Sequence, residues 1–309
     1  MSKCLLYVFS GTGNTFLAAS FIRDELTKLG YQVDIKKMEG DITPINVDAY
    51  DYIGIGFPIY GFNPPQVVMK YAKLIEKAKE KKKLFIFRTS GEPLMWNDIA
   101  AARLVKRLRK KNLELIIDKH LLMPYNIMFR YKDEVAKQLY LYLKVLCQLL
   151  AIQIDKEEKE EMKYSWYKRP LSFVARLVYV VPYVNAPIAH VNKKKCTNCE
   201  LCIKACPTKA MHRNKKGKIK INHHCTVCMR CSMYCPTDAV RFGILSHWRV
   251  NGRYDFKNLE ADPNVNPNYI NKKTKGFFKL FRKYFKEQNA LLRAHNIPLP
   301  IEYKEEEVL

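Results

Sequence analysis

Eight of the ten cysteines in this 309-residue chain lie between positions 196 and 235, in two copies of one pattern. Each copy reads C-x2-C-x2-C-x3-C-P, and a shift of 29 residues carries the first copy onto the second. The cysteines are Cys196, Cys199, Cys202 and Cys206 in the first copy, and Cys225, Cys228, Cys231 and Cys235 in the second. Three thiolates on one tight loop can cap three irons of a cubane, and this spacing therefore predicts iron–sulfur chemistry.

Two tetrahedral zinc ions are the alternative for eight cysteines. Zinc sites usually pair two C-x2-C knuckles across a spacer, and a third cysteine two residues further on is unusual for them. Residues 193–245 resemble a two-cluster bacterial ferredoxin domain at every ligand position. The resemblance implies one [4Fe–4S] cluster on Cys196, Cys199, Cys202 and Cys235, and a second on Cys225, Cys228, Cys231 and Cys206. Such ferredoxins are commonly acidic, whereas lysines flank this one, which leaves the identity of its electron partners open.

A loop rich in glycine and hydroxyl groups, residues 10–15, follows the first predicted strand and opens a helix. Its sequence is Ser10-Gly11-Thr12-Gly13-Asn14-Thr15. It lacks the Gly-Lys-Ser/Thr of a Walker loop, and Phe16 replaces the third glycine of the dinucleotide-binding motif. Hydroxyls together with backbone N–H groups at a helix N-terminus can bind phosphate without a cationic side chain. The loop is a candidate phosphate site, with a simple turn as the alternative.

The pattern S/T-x-T-G-x-T at this position is similar to that of flavodoxins, and two further loops extend the resemblance over about residues 1–125. The third and fourth strands end in Gly56–Gly61 and Arg88–Glu92, at the same edge of a parallel sheet. The resemblance implies that Ser10, Gly11, Thr12, Gly13, Asn14 and Thr15 bind the phosphate end of FMN. It places Pro58, Ile59, Tyr60 and Gly61 on one side of the isoalloxazine ring, and Thr89, Ser90 and Gly91 on the other. Residues 123–126 are a weaker candidate at that edge.

Residues 1–120 alternate short apolar runs with helix-patterned segments. The predicted strands are Cys4–Phe9, Tyr31–Ile35, Tyr52–Phe57, Leu84–Phe87 and Leu113–Ile117, and the predicted helices are Asn14–Leu29, Pro65–Lys79 and Asn97–Lys111. Continuous apolar strands separated by helices imply a parallel sheet covered on both faces. We predict an α/β fold with a flavodoxin-like, doubly wound, five-stranded sheet in the order 2-1-3-4-5. A small α+β two-cluster ferredoxin domain follows it.

The chain divides into four predicted regions. Residues 1–160 form the flavodoxin-like FMN-binding domain, 161–192 a connector, 193–245 the two-cluster domain, and 246–309 a basic, aromatic extension with a helix around Phe277–His295. Three interpretations of the extension remain open: docking on the protein's own core, contact with an anionic membrane surface, and binding of an acidic partner.

The charge balance favours anionic partners. The chain has 54 Lys+Arg against 30 Asp+Glu, a formal net charge of +24. No nucleic-acid-binding motif accompanies this excess, so we expect no nucleic acid partner. The first apolar run is too short for a secretory signal, and the apolar stretch 171–189 is broken by Arg176, Pro182, Asn185 and Pro187. We therefore expect no transmembrane segment and a cytoplasmic location, where free thiols persist.

The whole chain resembles the flavodoxin–ferredoxin fusion proteins of anaerobic bacteria and archaea, the ferrodoxin family. That resemblance implies electron transfer between two [4Fe–4S] clusters and FMN, with low-potential electrons passed to a partner protein or substrate. Clusters carry one electron each, whereas a flavin takes one or two. A chain that holds both therefore allows one-electron donors to reduce a two-electron carrier. The alternatives are a flavin-dependent reductase of a small molecule bound beside Tyr60 and, on charge alone, a nucleic-acid-binding iron–sulfur protein.

Overall fold

The computed structural model describes residues 1–40, 43–159, 169–303, 307 and 309. Its main sheet has five strands, all parallel, in the order β2-β1-β3-β4-β5. The strands are β1 (Lys3–Val8), β2 (Gln32–Lys37), β3 (Tyr52–Pro58), β4 (Lys82–Ser90) and β5 (Leu113–Leu122). The predicted α/β class, the doubly wound sheet and its strand order are confirmed.

Helices cover both faces of this sheet: α1 (Asn14–Lys28), α2 (Gln66–Leu74), α3 (Ala102–Arg109) and α4 (Asp133–Asp155). Successive residues of β1 enter different layers, because side chains of a strand alternate between its two faces. Leu6 packs in the core beneath α1 and α4, whereas Leu5 and Tyr7 pack in the core beneath α2 and α3. Burial on both sides explains why β1 is continuously apolar in the sequence.

The second helix is shorter than predicted, since α2 ends at Leu74 rather than near Lys79. Ile75 adopts an extended backbone (φ −61°, ψ 122°) and pairs with Ile45 in an isolated parallel bridge. The Ile45 N–H donates to the Leu74 carbonyl, and Glu76 N–H donates to the Ile45 carbonyl. The loop that contains Ile45 thus forms hydrogen bonds with the backbone at Leu74 and Glu76, and the helix ends there.

Helix α4 is long and apolar enough to cross a membrane by length and composition alone. However, 72% of its most apolar window is buried inside the protein. Leu139, Leu143 and Leu150 lie in the core shared with α1 and the sheet. The helix is therefore a core element of the first domain.

Residues 169–242 contain short elements. They are α5 (Arg169–Ala175), α6 (Val181–Asn185), β6 (His190–Val191), α7 (Leu201–Lys204), β7 (Met211–Arg213), β8 (Ile219–Ile221), α8 (Arg230–Met233) and β9 (Val240–Arg241), with a 3₁₀ turn at Arg176–Tyr179. Strands β6 and β9 form one antiparallel pair, and β7 and β8 form another. Residues 161–168 of the predicted connector lie outside the described residues.

The C-terminal extension folds back onto the first domain. After a 3₁₀ turn at Gly243–Trp248, it contains α9 (Phe256–Ala261), a 3₁₀ turn at Gly276–Leu280, and α10 (Phe281–Ala294). Phe281, Phe285 and Leu292 are fully buried in the core that includes α4. The Tyr142 and Phe285 rings lie 4.4 Å apart, edge to face. Docking on the protein's own core is thus what the structure shows for this apolar helix face.

Candidate redox sites

A cavity of about 340 Å³ lies at the carboxyl ends of the parallel strands, where open α/β sheets bind ligands. Its lining comprises residues from three loops that the sequence singled out: Ser10, Gly11, Thr12, Asn14, Thr15, Pro58, Ile59, Tyr60, Gly61, Thr89, Ser90 and Gly91. Gly13 does not line it and instead forms the N-cap of α1 with φ 114°, a left-handed conformation that suits glycine. The structure therefore brings twelve of the thirteen candidate FMN contacts to one cavity.

Hydrogen bonds join the cavity loops to one another. Ser10 Oγ accepts the Gly13 N–H at 3.2 Å, which closes the turn before α1. The buried hydroxyls of Thr15 and Thr89 lie 2.7 Å apart and link the first loop to the end of β4. The Thr15 hydroxyl therefore already has a protein partner.

The segment after β5 forms the remaining wall. Met123, Pro124, Tyr125, Asn126, Ile127 and Met128 all line the cavity. The Tyr125 ring packs so closely on Gly91 that a Cβ there would lie 2.0 Å from the ring. Asn14 Nδ2 donates to the Pro124 carbonyl at 3.0 Å. Residues 123–126, the weaker sequence candidates, thus lie at the cavity with the main loops.

Sequence reasoning missed Glu92 as a site residue, although it directly follows the Thr89–Gly91 loop. Glu92 lines the cavity, and Oε2 of its carboxyl is buried. Burial raises the pKa of Glu92, against the opposing effect of hydrogen bonds from Tyr125 and Asn97. A buried carboxyl with a raised pKa is a potential proton donor.

Behind the Thr89–Gly91 loop lies a buried polar network. The side chains of Arg88 and Asp118 are both fully buried and form an ion pair at 2.5 Å. His120 Nε2 lies 2.7 Å from Ser90 Oγ. Burial, reinforced by the charge of Arg88, holds the pKa of His120 well below its usual value, so the imidazole is neutral. These contacts fix the backbone that carries Ser90 to the cavity.

The eight cysteines of the repeat line two separate small cavities. Cys196, Cys199, Cys202 and Cys235 surround one, and Cys206, Cys225, Cys228 and Cys231 surround the other. We call these the outer and the inner cysteine set. Each set takes three cysteines from one copy of the repeat and the fourth from the other copy, which is the grouping that the sequence predicted.

Backbone amides point at the cysteine sulfurs. The Ala210 N–H donates to Cys206 Sγ at 3.2 Å, and the Ala239 N–H donates to Cys235 Sγ at 3.1 Å. Such bonds favour thiolate and tune cluster potentials. Burial raises the pKa of Cys225 to about 12 and that of Cys228 to about 11. A metal or cluster bound by the inner set would therefore have to displace thiol protons.

The inner set packs directly on the cavity. Val227 belongs to the cavity lining, and a Cβ at Gly11 would lie 2.9 Å from the Cys228 carbonyl oxygen. Asn126 Nδ2 donates to that same carbonyl at 3.2 Å. The phosphate-loop candidate and a cysteine loop are thus in van der Waals contact, which requires a residue without a side chain at position 11.

Arg230, adjacent to Cys231, ties the two loops together. Its guanidinium pairs with both carboxylate oxygens of Glu39, at 2.5 and 3.0 Å. It also donates to the Gly11 carbonyl at 2.6 Å, to the Ser10 carbonyl, and to the Ala205 carbonyl at 2.9 Å. Nothing in the local sequence pattern distinguished this arginine from the other basic residues.

Comparison with known proteins adds independent support for the C-terminal site. A family model described as a 4Fe-4S binding domain matches residues 189–212. Crystal structures of oxidised flavodoxin 1 and oxidised flavodoxin 2 from Bacillus cereus each align with 50% of this chain. The identities are 16% and 20%, the TM-scores 0.39 and 0.38, and the alignments cover 98% and 99% of those chains.

Among curated proteins, the uncharacterized protein MJ0298 of Methanocaldococcus jannaschii is 30% identical over 116 residues, which is 38% of this chain and 71% of the relative. The sheet topology and the match to the 4Fe-4S binding domain together describe a redox protein with a flavodoxin-like fold and at least one iron–sulfur cluster. By the extent of that match, this chain belongs to the same protein family as MJ0298.

Proposed function

We propose that this protein transfers electrons between two [4Fe–4S] clusters and FMN, and passes low-potential electrons to a partner protein or substrate. The observation that carries the proposal is the contact between the inner cysteine set and the cavity: Val227 lines it, and Cys228 packs on Gly11. Redox groups on these residues would be neighbours, which makes the transfer between them unimolecular.

The residues of the cavity fit FMN. The volume lies in the range of small-molecule sites, and the first loop offers hydroxyls and the N-terminus of α1 to a phosphate. Pro58, Ile59 and Tyr60 provide apolar and aromatic surface for a planar ring. FMN bound there would supply a carrier of one or two electrons.

The two cysteine sets differ in their position relative to the solvent. Cys228 and Cys231 of the inner set are buried, whereas Cys199 of the outer set is exposed. Lys193, Lys194 and Lys195 are also exposed beside the outer set. This arrangement supports entry of electrons at the outer set from an acidic donor protein, because complementary charge steers association.

Glu92 favours a second candidate function, the flavin-dependent reduction of a small molecule. Glu92 lines the cavity, and burial raises the pKa of its carboxyl. A protonated carboxyl at this position is suited to give a proton to an acceptor that receives electrons in the cavity.

Anaerobic reconstitution tests the proposal. The wild-type protein should bind about eight iron and eight sulfide ions and one FMN, and Cys228→Ser should lose about half of the iron. Cys147→Ser is the matched control, since Cys147 is a buried cysteine of α4 outside the repeat, and it should retain the full iron content. A wild-type protein that holds zinc, with neither sulfide nor flavin, would contradict the proposal.

A small-acceptor assay separates the two candidates. The reductase predicts turnover of a small acceptor that Glu92→Gln slows, while FMN and iron contents stay at the wild-type level. If the protein only carries electrons, the wild type and Glu92→Gln should reduce a partner protein at the same rate.

A further inference from the structure

The segment between the two domains forms a nearly continuous helical stretch. Helix α5, the turn at Arg176–Tyr179 and α6 follow one another directly. The junction residues Ala175 (φ −61°, ψ −15°) and Val180 (φ −87°, ψ −22°) keep the right-handed helical conformation. Side chains three or four residues apart therefore lie on one side of this stretch.

Among the residues of this stretch whose burial the structure describes, the buried ones are Pro182, Asn185 and Ala186, which are small or polar. Large apolar side chains face the solvent instead, at the spacing i, i+4, i+7, i+11: Phe173, Leu177, Val180 and Val184. Phe173 exposes 67% and Leu177 exposes 66% of its surface. Leaving such side chains in water is unfavourable, so a contiguous set of them marks an interaction surface.

Neighbouring residues extend the patch. Ile188 follows α6 and is half exposed. Gly243 lies against it, since a Cβ at Gly243 would be 2.5 Å from the Ile188 side chain. Ile244, which follows Gly243, exposes 62% of its surface. We define the outer apolar face as Phe173, Val174, Leu177, Val180, Val184, Ile188 and Ile244.

Charge indicates what covers this face. Residues 162–199 contain no Asp or Glu and seven basic residues: Lys163, Lys168, Arg169, Arg176, Lys193, Lys194 and Lys195. Six of these basic positions precede or follow the apolar run in the sequence, and the apolar positions themselves are uncharged. An apolar strip with basic residues at both ends matches an anionic bilayer, where side chains enter the acyl boundary and Lys/Arg meet the headgroups.

We propose that the outer apolar face rests on an anionic lipid surface and holds the protein at the membrane without spanning it. The stretch that carries this face contacts the first domain, because the Tyr179 hydroxyl donates to the carbonyl of Pro64, three residues after the cavity residue Gly61. This proposal stands on exposure and charge, independently of the proposed redox function.

Vesicle flotation with the full-length protein tests the proposal. The wild-type protein should float with vesicles of phosphatidylglycerol and phosphatidylcholine, and far less with phosphatidylcholine alone. Leu177→Glu/Val184→Glu should reduce binding by about tenfold or more, because it removes apolar contact and adds repulsion from the anionic lipid. Leu29→Glu/Leu280→Glu is the matched control, since it adds the same charge at two exposed leucines that lie outside the face. The circular dichroism spectra of all variants should match that of the wild type.

Two results would overturn the proposal. One is a wild-type protein that does not bind the anionic vesicles at low salt. If that protein also self-associates, and Leu177→Glu/Val184→Glu abolishes the self-association, the face is a protein contact. The other is vesicle binding that the control Leu29→Glu/Leu280→Glu weakens as much as Leu177→Glu/Val184→Glu does, since net charge alone would then explain the binding.

Discussion

Replacement of Arg230 by glutamine should loosen the contact between the phosphate-loop candidate and the inner cysteine set. The Arg230 side chain is 12% exposed, and its guanidinium meets Glu39 and three backbone carbonyls. Removing one partner of a buried, hydrogen-bonded charge pair costs about 3–5 kcal/mol. Because Glu39 is 25% exposed and water can reach it, we expect the lower end, about 3 kcal/mol.

Hydrogen exchange measures this loss directly. At about 1.4 kcal/mol per tenfold change, 3 kcal/mol corresponds to about 100-fold more frequent opening of the contact. Backbone amides in peptides covering residues 10–15 and 226–234 should therefore exchange about 100-fold faster in Arg230→Gln, with FMN and clusters bound. Amides in the strands of the sheet should keep their protection.

Arg213→Gln is the matched control for this experiment. Arg213 lies in the same domain and pairs with Glu200, but both side chains are more than one-third exposed. Exposed ion pairs contribute little to stability, so exchange should rise by less than about fivefold. The reasoning is refuted if Arg230→Gln changes exchange by no more than Arg213→Gln does.

Three further substitutions test the cavity and its support. Gly11→Ala places a Cβ 2.5 Å from Tyr60 Oη and 2.9 Å from the Cys228 carbonyl oxygen. Overpacking of about 1–3 kcal/mol should weaken FMN binding by about fivefold or more, as measured by fluorescence titration. An unchanged Kd would contradict that contact. Asp118→Asn leaves Arg88 buried without its carboxylate, and urea unfolding should show a loss of about 3–5 kcal/mol. Glu157→Gln is the control, since Glu157 belongs to an exposed ion pair and its replacement should leave the urea unfolding curve close to that of the wild type. For Glu92, burial raises the pKa in the folded state, so the folded protein binds this proton more tightly than the unfolded chain. The unfolding free energy of the FMN-free wild type should therefore fall as pH rises from the ordinary pKa of about 4.5 to the raised value. Tm measured against pH should show this fall, and a fall of the same size in Glu92→Gln would exclude Glu92 as its origin.

Much of the fold could be predicted because it rests on local patterns. The continuous apolar runs from β1 to β5 reflect burial on both faces of the sheet, and the alternation with helices implies parallel strands. The predicted end of α2 was wrong, because Ile75 pairs with Ile45 and this contact between distant residues overrides the helical pattern. The sequence left three interpretations of the C-terminal extension open, and only the burial of its helix α10 in the core showed that it docks on the protein itself.

The sequence by itself determined the candidate ligands, since thiolate spacing and a hydroxyl-rich turn are properties of a few consecutive residues. Only the tertiary structure decided which cysteine set adjoins the cavity and that Val227 and Glu92 line it. Arg230 contacts residues 191 and 219 positions away, and no local pattern encodes such contacts. The exposure of Phe173 and Leu177 could not be predicted either, because the sequence does not show whether an apolar residue faces the core or the solvent.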